Sequence, residues 1–119
     1  MHALHVLVVD DDADFRKALR SVVESQGCTV SEAADGKLAL DILLSVRPDL
    51  ILFDLQLPVM NGWEFYAKLQ DNSAFAAIPT AVLSSVARMR PAGSKQEPKK
   101  PVVLGQLLRL LRMIGALND

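Results

Sequence analysis

The stretch Asp49-Leu-Ile-Leu-Phe-Asp-Leu-Gln-Leu-Pro-Val-Met-Asn-Gly62 decides how the rest of the chain is read. Four apolar residues, Leu50 to Phe53, run directly into Asp54, and Leu57-Pro58 and Asn61-Gly62 follow. An unbroken apolar run of strand length bounded by turn residues fits a strand buried on both faces. An acid at the carboxyl end of such a strand stands where open α/β sheets place their ligands. Pro58 marks the loop that leaves the strand, and Asn61 is suited to cap the next helix.

Working outward, Leu4 to Val9 predicts a first buried strand that ends in Asp10, Asp11 and Asp12. The segment Ala13 to Gln26 aligns Phe15, Leu19, Val22 and Val23 at helical spacing, with Asp12 as its cap and Gly27 as its stop. Cys28 to Ala34 reads as a second strand closed by Asp35-Gly36. Lys37 to Val46 reads as a helix with Leu40, Leu43 and Leu44 at the spacing of one helical face, ended by Arg47-Pro48. Asn61 to Gln70 reads as a third helix with Trp63, Tyr66 and Leu69 in line, Phe65 adding apolar surface and Asp71-Asn72-Ser73 breaking it. Thr80 to Leu83 is a fourth strand ending in Ser84 and Ser85. From Val86 to Pro101, three prolines, Gly93 and five basic residues leave room for one helical turn and a poor fifth strand. Val102 to Leu117 closes the chain as a helix burying Leu104, Leu107, Leu108, Leu111 and Ile114. Strands alternating with helices imply right-handed crossovers and a parallel sheet covered on both faces, a three-layer α/β sandwich in one domain, residues 1–119.

Composition bounds the function. The 119 residues are half apolar and 23% charged, ordinary for a globular protein. No run reaches the ~20 apolar residues of a membrane span, and the start is too acidic and too short in apolar residues for a signal peptide. The one cysteine, Cys28, has no internal partner, so a reducing cytoplasm is the expected compartment, and a small buried hydrophobe its expected role. Residues 1–60 hold 10 acidic and 5 basic groups, whereas residues 61–119 hold 4 and 8. The basic run from Arg88 to Lys100 has no interleaved aromatic residue, which argues against nucleic-acid binding. His2 and His5 lie at the terminus and in a strand, unlike phosphodonor histidines on a helix.

In a parallel sheet the strand ends carrying Asp10, Asp11, Asp54 and Ser84 share one edge, and Lys100-Pro101 follows the doubtful fifth strand. Carboxylates brought together repel unless a cation neutralises them, and few carboxylates with room for water suit Mg²⁺. A nucleophilic carboxylate, a Mg²⁺ site, a hydroxyl and a lysine are the equipment for accepting a phosphoryl group. Asp54 would attack in line, Mg²⁺ and Lys100 would balance the charge on the equatorial oxygens, and Ser84 would donate a hydrogen bond. Each residue alone has a plainer reading: a helix-start acid, a strand-end turn residue, a loop hydroxyl, a solvated lysine. Their joint placement carries the chemistry.

The motifs VLVVDDD, LILFDLQLPVMNGWEF, AVLSS and KKPV resemble, in order and across essentially the whole chain, those of a response-regulator receiver domain of two-component signalling. The resemblance implies a flavodoxin-like parallel five-stranded sheet of order 2-1-3-4-5. It implies Asp54 as phosphoacceptor, Asp10 and Asp11 as metal ligands beside Asp54, and Gln56 as donor of a backbone carbonyl to Mg²⁺. Ser84 would be the switch hydroxyl and Lys100 the charge-balancing lysine, with a cis peptide before Pro101. It further implies a sensor histidine kinase or histidine phosphotransfer protein as donor and a downstream protein as receiver of the signal. A stand-alone receiver, a relay intermediate and an excised domain of a larger chain all fit.

Departures from the family pattern shape the remaining expectations. Sixteen positions separate Ser84 from Lys100, so the fourth helix is expected to be truncated or replaced by loop. Glu97 stands where an aromatic residue is common, Ser85 where alanine is common, and Asn61 where aspartate is frequent. An inward swing of Glu97 would bury a carboxylate near an anionic site, so the switch is expected to work through the 86–98 loop. The stripe Leu110, Met113 and Leu117 is the expected partner or homodimer surface. Two other readings compete: a phosphorylation-independent interaction module, and a Mg²⁺-dependent phosphohydrolase. Gln56, two residues past Asp54, cannot act as a general acid and weighs against the hydrolase.

Overall fold

Alternating side chains along the central strands decide how the layers assemble. The computed structural model describes residues 3–83 together with residues 109, 112 and 113. Strands β1 (His5–Val9), β2 (Thr29–Ala33), β3 (Leu50–Phe53) and β4 (Thr80–Val82) pair in parallel in the order β2-β1-β3-β4. Among the described residues this is the expected order 2-1-3-4. The fifth strand, the last helix as a unit, the 86–98 loop, Ser84, Lys100 and the peptide before Pro101 lie outside them.

Successive strand residues point to opposite faces. Leu7, Val9, Ile51 and Phe53 therefore pack on one side, with Ala39 and Leu43 from α2 (Gly36–Leu43) and Phe65 and Leu69 from α3 (Gly62–Asp71). Val6, Val8, Leu50 and Leu52 face the other side, against Leu19 and Val23 from α1 (Ala13–Glu24). Both faces of β1 and β3 are thus covered, which is why these strands read as continuous apolar runs. Phe65 is fully buried and meets the Phe53 ring edge-on at 5.5 Å between centroids. Burying such a side chain contributes about 1.5–3 kcal/mol.

The caps follow from local chemistry. Asp12, Asp35 and Asn61 accept hydrogen bonds from the backbone amides of Phe15, Leu38 and Glu64, satisfying donors that the first helical turn leaves open. Gly27 takes φ +86° after α1, a left-handed conformation that stops the helix cheaply only with glycine. His5 is held structurally, its two ring nitrogens 2.7 Å from the hydroxyls of Thr29 and Ser31.

Two expectations about faces and one about a break are corrected. Leu44 is 80% exposed, because α2 ends at Leu43 and turns its Ala39–Leu43 face inward. Trp63 and Tyr66 are exposed, and the buried line of α3 is Gly62, Phe65 and Leu69. Tyr66 still stacks on Phe53 at 6.3 Å, whereas Trp63 is not a packing residue. After Asn72 the chain makes a further short helix, α4 (Ser73–Ala76), rather than only a break. Cys28 is half-buried, packed against the α1 side of the core. Burial, and then the nearby Asp49 carboxylate, push its thiol pKa up. Residues 109, 112 and 113 are helical and exposed, so Met113 of the expected stripe faces solvent, while Leu110 and Leu117 fall outside the description. Among the described residues no helix is long and apolar enough to cross a membrane.

Candidate functional site

Two neighbouring strands bring the acids together. Val9 and Phe53 are register partners, and the ladder continues one step beyond each strand: Asp10 N–H donates to the Ala33 carbonyl (3.0 Å) and Asp54 N–H to the Val9 carbonyl (3.1 Å). Asp10 and Asp54 therefore emerge side by side at the carboxyl edge of the sheet. Both are buried, 0% and 1% exposed, while Asp11 is exposed. One carboxylate oxygen from each of the three lies within 4.8 Å of the others. Ionised carboxylates at that spacing repel by about 3 kcal/mol per pair at an effective dielectric of 20. A site built this way favours a bound cation.

Backbone amides orient the two buried acids. Asp10 Oδ1 accepts from Asp12 N–H (2.8 Å), and Asp54 Oδ1 accepts from Gln56 N–H (3.0 Å). Each is a local turn closed by an aspartate two residues upstream. Gln56 thus belongs to the same turn as Asp54; its side chain is exposed between buried Leu55 and Leu57. Gly62 N–H donates to the Leu55 carbonyl (2.8 Å), tying the start of α3 to the chain just past Asp54. In the intervening loop Val59 holds φ +66°, and Met60 N–H bonds the Pro58 carbonyl at 2.6 Å, a tight turn strained for a β-branched residue.

Of the expected site residues, the structure brings together Asp10, Asp11 and Asp54 and sets Gln56 beside them. Ser84 and Lys100 lie outside the described residues. Leu83 N–H still bonds the Phe53 carbonyl at 2.8 Å, so β4 reaches the same edge. Two residues at the site escaped the sequence reading. Arg16 donates from Nη1 to the Asp10 carbonyl (2.7 Å), a contact that no spacing rule announces. Gly62 packs so tightly that an added Cβ would lie 2.5 Å from the Asp54 carbonyl oxygen. The Asn61-Gly62 pair signalled a turn, and only the packing shows that it also makes room for Asp54.

The donor set fits a small hard cation: three carboxylate oxygens, two of them from buried residues, with one exposed acid open to water.

Residues 6–96 match the response regulator receiver domain family. The chain is 32% identical over 115 residues to protein PilG of Pseudomonas aeruginosa, covering 92% of this chain and 85% of PilG. Its fold resembles chemotaxis response regulator CheY4 of Vibrio cholerae (TM-score 0.75, 28% identity, 95% of this chain and 99% of that one). It also resembles the receiver domain of sensor histidine kinase PA1611 from Pseudomonas aeruginosa (TM-score 0.78, 25% identity, 96% and 99%). That structure has a magnesium ion coordinated in its active-site cleft. The chain belongs to the response regulator receiver family and has its flavodoxin-like fold.

Proposed function

We propose that residues 1–119 form one receiver domain that takes a phosphoryl group from a phosphohistidine onto Asp54. The observation that carries this reading is the cluster of Asp10, Asp11 and Asp54 within 4.8 Å at the carboxyl edge of the sheet. An Asp54 carboxylate oxygen attacks phosphorus, the N–P bond of the donor breaks, and its electrons stay with the imidazole, which takes up a proton. Asp54 becomes an acyl phosphate. Water later attacks phosphorus, releasing inorganic phosphate and restoring the carboxylate. Asp10, Asp11, Asp54 and the Gln56 carbonyl would hold Mg²⁺, which when bound would offset the charge on the phosphoryl oxygens.

The backbone bond from Gln56 N–H to Asp54 Oδ1 orients the attacking carboxylate. Ser84 would donate to one phosphoryl oxygen and Lys100 would pair with another. The donor is a sensor histidine kinase or a histidine phosphotransfer protein, and the acceptor of the signal is a downstream protein in the cytoplasm. The domain transfers phosphate to itself and loses it by self-catalysed hydrolysis; it does not turn over metabolites.

The test is incubation with a small acyl-phosphate donor, with and without Mg²⁺, followed by intact-mass measurement and hydroxylamine treatment. One phosphoryl group, dependent on Mg²⁺ and removed by hydroxylamine, is expected. A hydroxylamine-stable adduct would be a hydroxyl ester and would rule out an aspartyl phosphate.

A further inference from the structure

Asp11 is the one acid of the cluster that burial does not hold, yet both peptides that flank it are pinned. The peptide joining Asp10 to Asp11 is planar, so fixing its carbonyl fixes the plane from which Asp11 projects. That carbonyl accepts from Arg16 Nη1 at 2.7 Å. The next peptide is fixed by its Asp12 N–H, which donates to Asp10 Oδ1 at 2.8 Å. Arg16 is itself held. Its Nε donates to Glu32 Oε1 at 2.8 Å, and the other Glu32 oxygen accepts from Arg20 Nη1 at 2.8 Å. The Arg16 and Glu32 side chains are only 15% and 18% exposed, so this is a sheltered fork rather than a solvent-screened pair.

From this geometry we infer that Arg16, locked by Glu32, is a positioning residue that aims Asp11 at the cation site and so sets its affinity for Mg²⁺. The inference rests on the proposed reading of the Asp10–Asp11–Asp54 cluster as that site. Arg16 reaches the cluster through the Asp10 main-chain carbonyl and not through a carboxylate oxygen. The planar guanidinium meets Glu32 and the carbonyl together through two different nitrogens. A lysine has one nitrogen at the end of a flexible stem and lacks that fixed geometry.

The experiment compares wild type, Arg16→Met, Arg16→Lys and Glu32→Gln. Mg²⁺ affinity is measured by calorimetry, and metal-free stability by urea unfolding in a chelator. Arg16→Met and Arg16→Lys are both expected to weaken Mg²⁺ binding roughly tenfold, the usual scale for losing an outer partner of a metal ligand. Glu32→Gln should show a smaller loss in the same direction. The Mg²⁺ concentration for half-maximal phosphorylation should rise by the same factor as the dissociation constant. Loss of urea stability with unchanged Mg²⁺ affinity would make Arg16 a structural residue only and overturn the inference. Full affinity in Arg16→Lys would overturn it too, because charge alone would then suffice. A wild-type protein that binds no Mg²⁺ would instead sink the site assignment itself, and should Arg16→Met fail to fold, the lysine and Glu32 variants decide.

Discussion

Gly62→Ala should damage the fold and the site together. The new Cβ would lie 2.4 Å from Leu55 Cα and 2.5 Å from the Asp54 carbonyl oxygen, whereas ordinary contact begins at 3.4 Å, so the chain must open by about 1 Å. The obstacle is the backbone of buried Asp54 and Leu55, directly past β3, which has little freedom to move. Overpacking of this kind costs about 1–3 kcal/mol. Alanine's better helix propensity returns up to ~1 kcal/mol, which leaves a net loss of up to about 3 kcal/mol, centred on roughly 1–2. For a domain of this size that lowers Tm by roughly 3–10 °C. Because the displaced atoms include the Asp54 carbonyl, phosphorylation by an acyl-phosphate donor should slow roughly tenfold or more, as misplacement of a reacting group by about 1 Å does. Gly27→Ala is the control. Nothing lies within 4 Å of its added Cβ, so only the φ of +86° is strained. That costs about 1 kcal/mol and should leave phosphorylation intact. Thermal melts and phosphorylation rates on both variants check this pair. A Gly62→Ala protein with wild-type rate would refute the claim that the close approach positions Asp54.

Other outcomes follow from the same geometry. Asp11→Asn should lose Mg²⁺-dependent phosphorylation while raising metal-free stability by less than about 1 kcal/mol, since the exposed charge is screened; calorimetry and chelator-treated melts measure both. The Glu32 pKa is lowered by hydrogen bonds from Arg20 and Arg16, with burial opposing. The contribution of Glu32 is therefore complete above its ordinary value of 4.5 and is lost as pH falls through its depressed folded pKa. Glu32→Gln should remove that part of the acid dependence of the urea midpoint. Val59→Gly should relieve the strain at φ +66° and raise the unfolding free energy measured in urea by up to ~1 kcal/mol.

Some of this architecture was written locally and some was not. The apolar runs before Asp10 and Asp54 announced two buried parallel strands, and a parallel sheet leaves no other edge for their acids. Asp12 and Asn61 were legible as caps because a cap is a contact three residues long. The buried face of α3 was not legible. Trp63 and Tyr66 at one spacing and Phe65 and Leu69 at another both describe helical stripes, and the close approach of Gly62 to Asp54 and Leu55 decides between them. Leu44 misled because helical periodicity does not tell where α2 stops. The α4 turn is too short to have a period, and Asn72 serves both as the end of α3 and as the cap of α4. Arg16 was invisible because its bond to Asp10 is to the main chain and the Glu32 that holds it comes from β2, sixteen residues on.

The central claim is that Asp54, and neither of its acidic neighbours, carries the phosphoryl group. Borohydride reduces an aspartyl phosphate to homoserine and leaves a free carboxylate untouched. Protein treated with acyl phosphate and Mg²⁺, then reduced and mapped by peptide mass spectrometry, should show homoserine at position 54 alone. Homoserine at position 10 or 11, or its unchanged yield elsewhere in Asp54→Asn, would contradict the account.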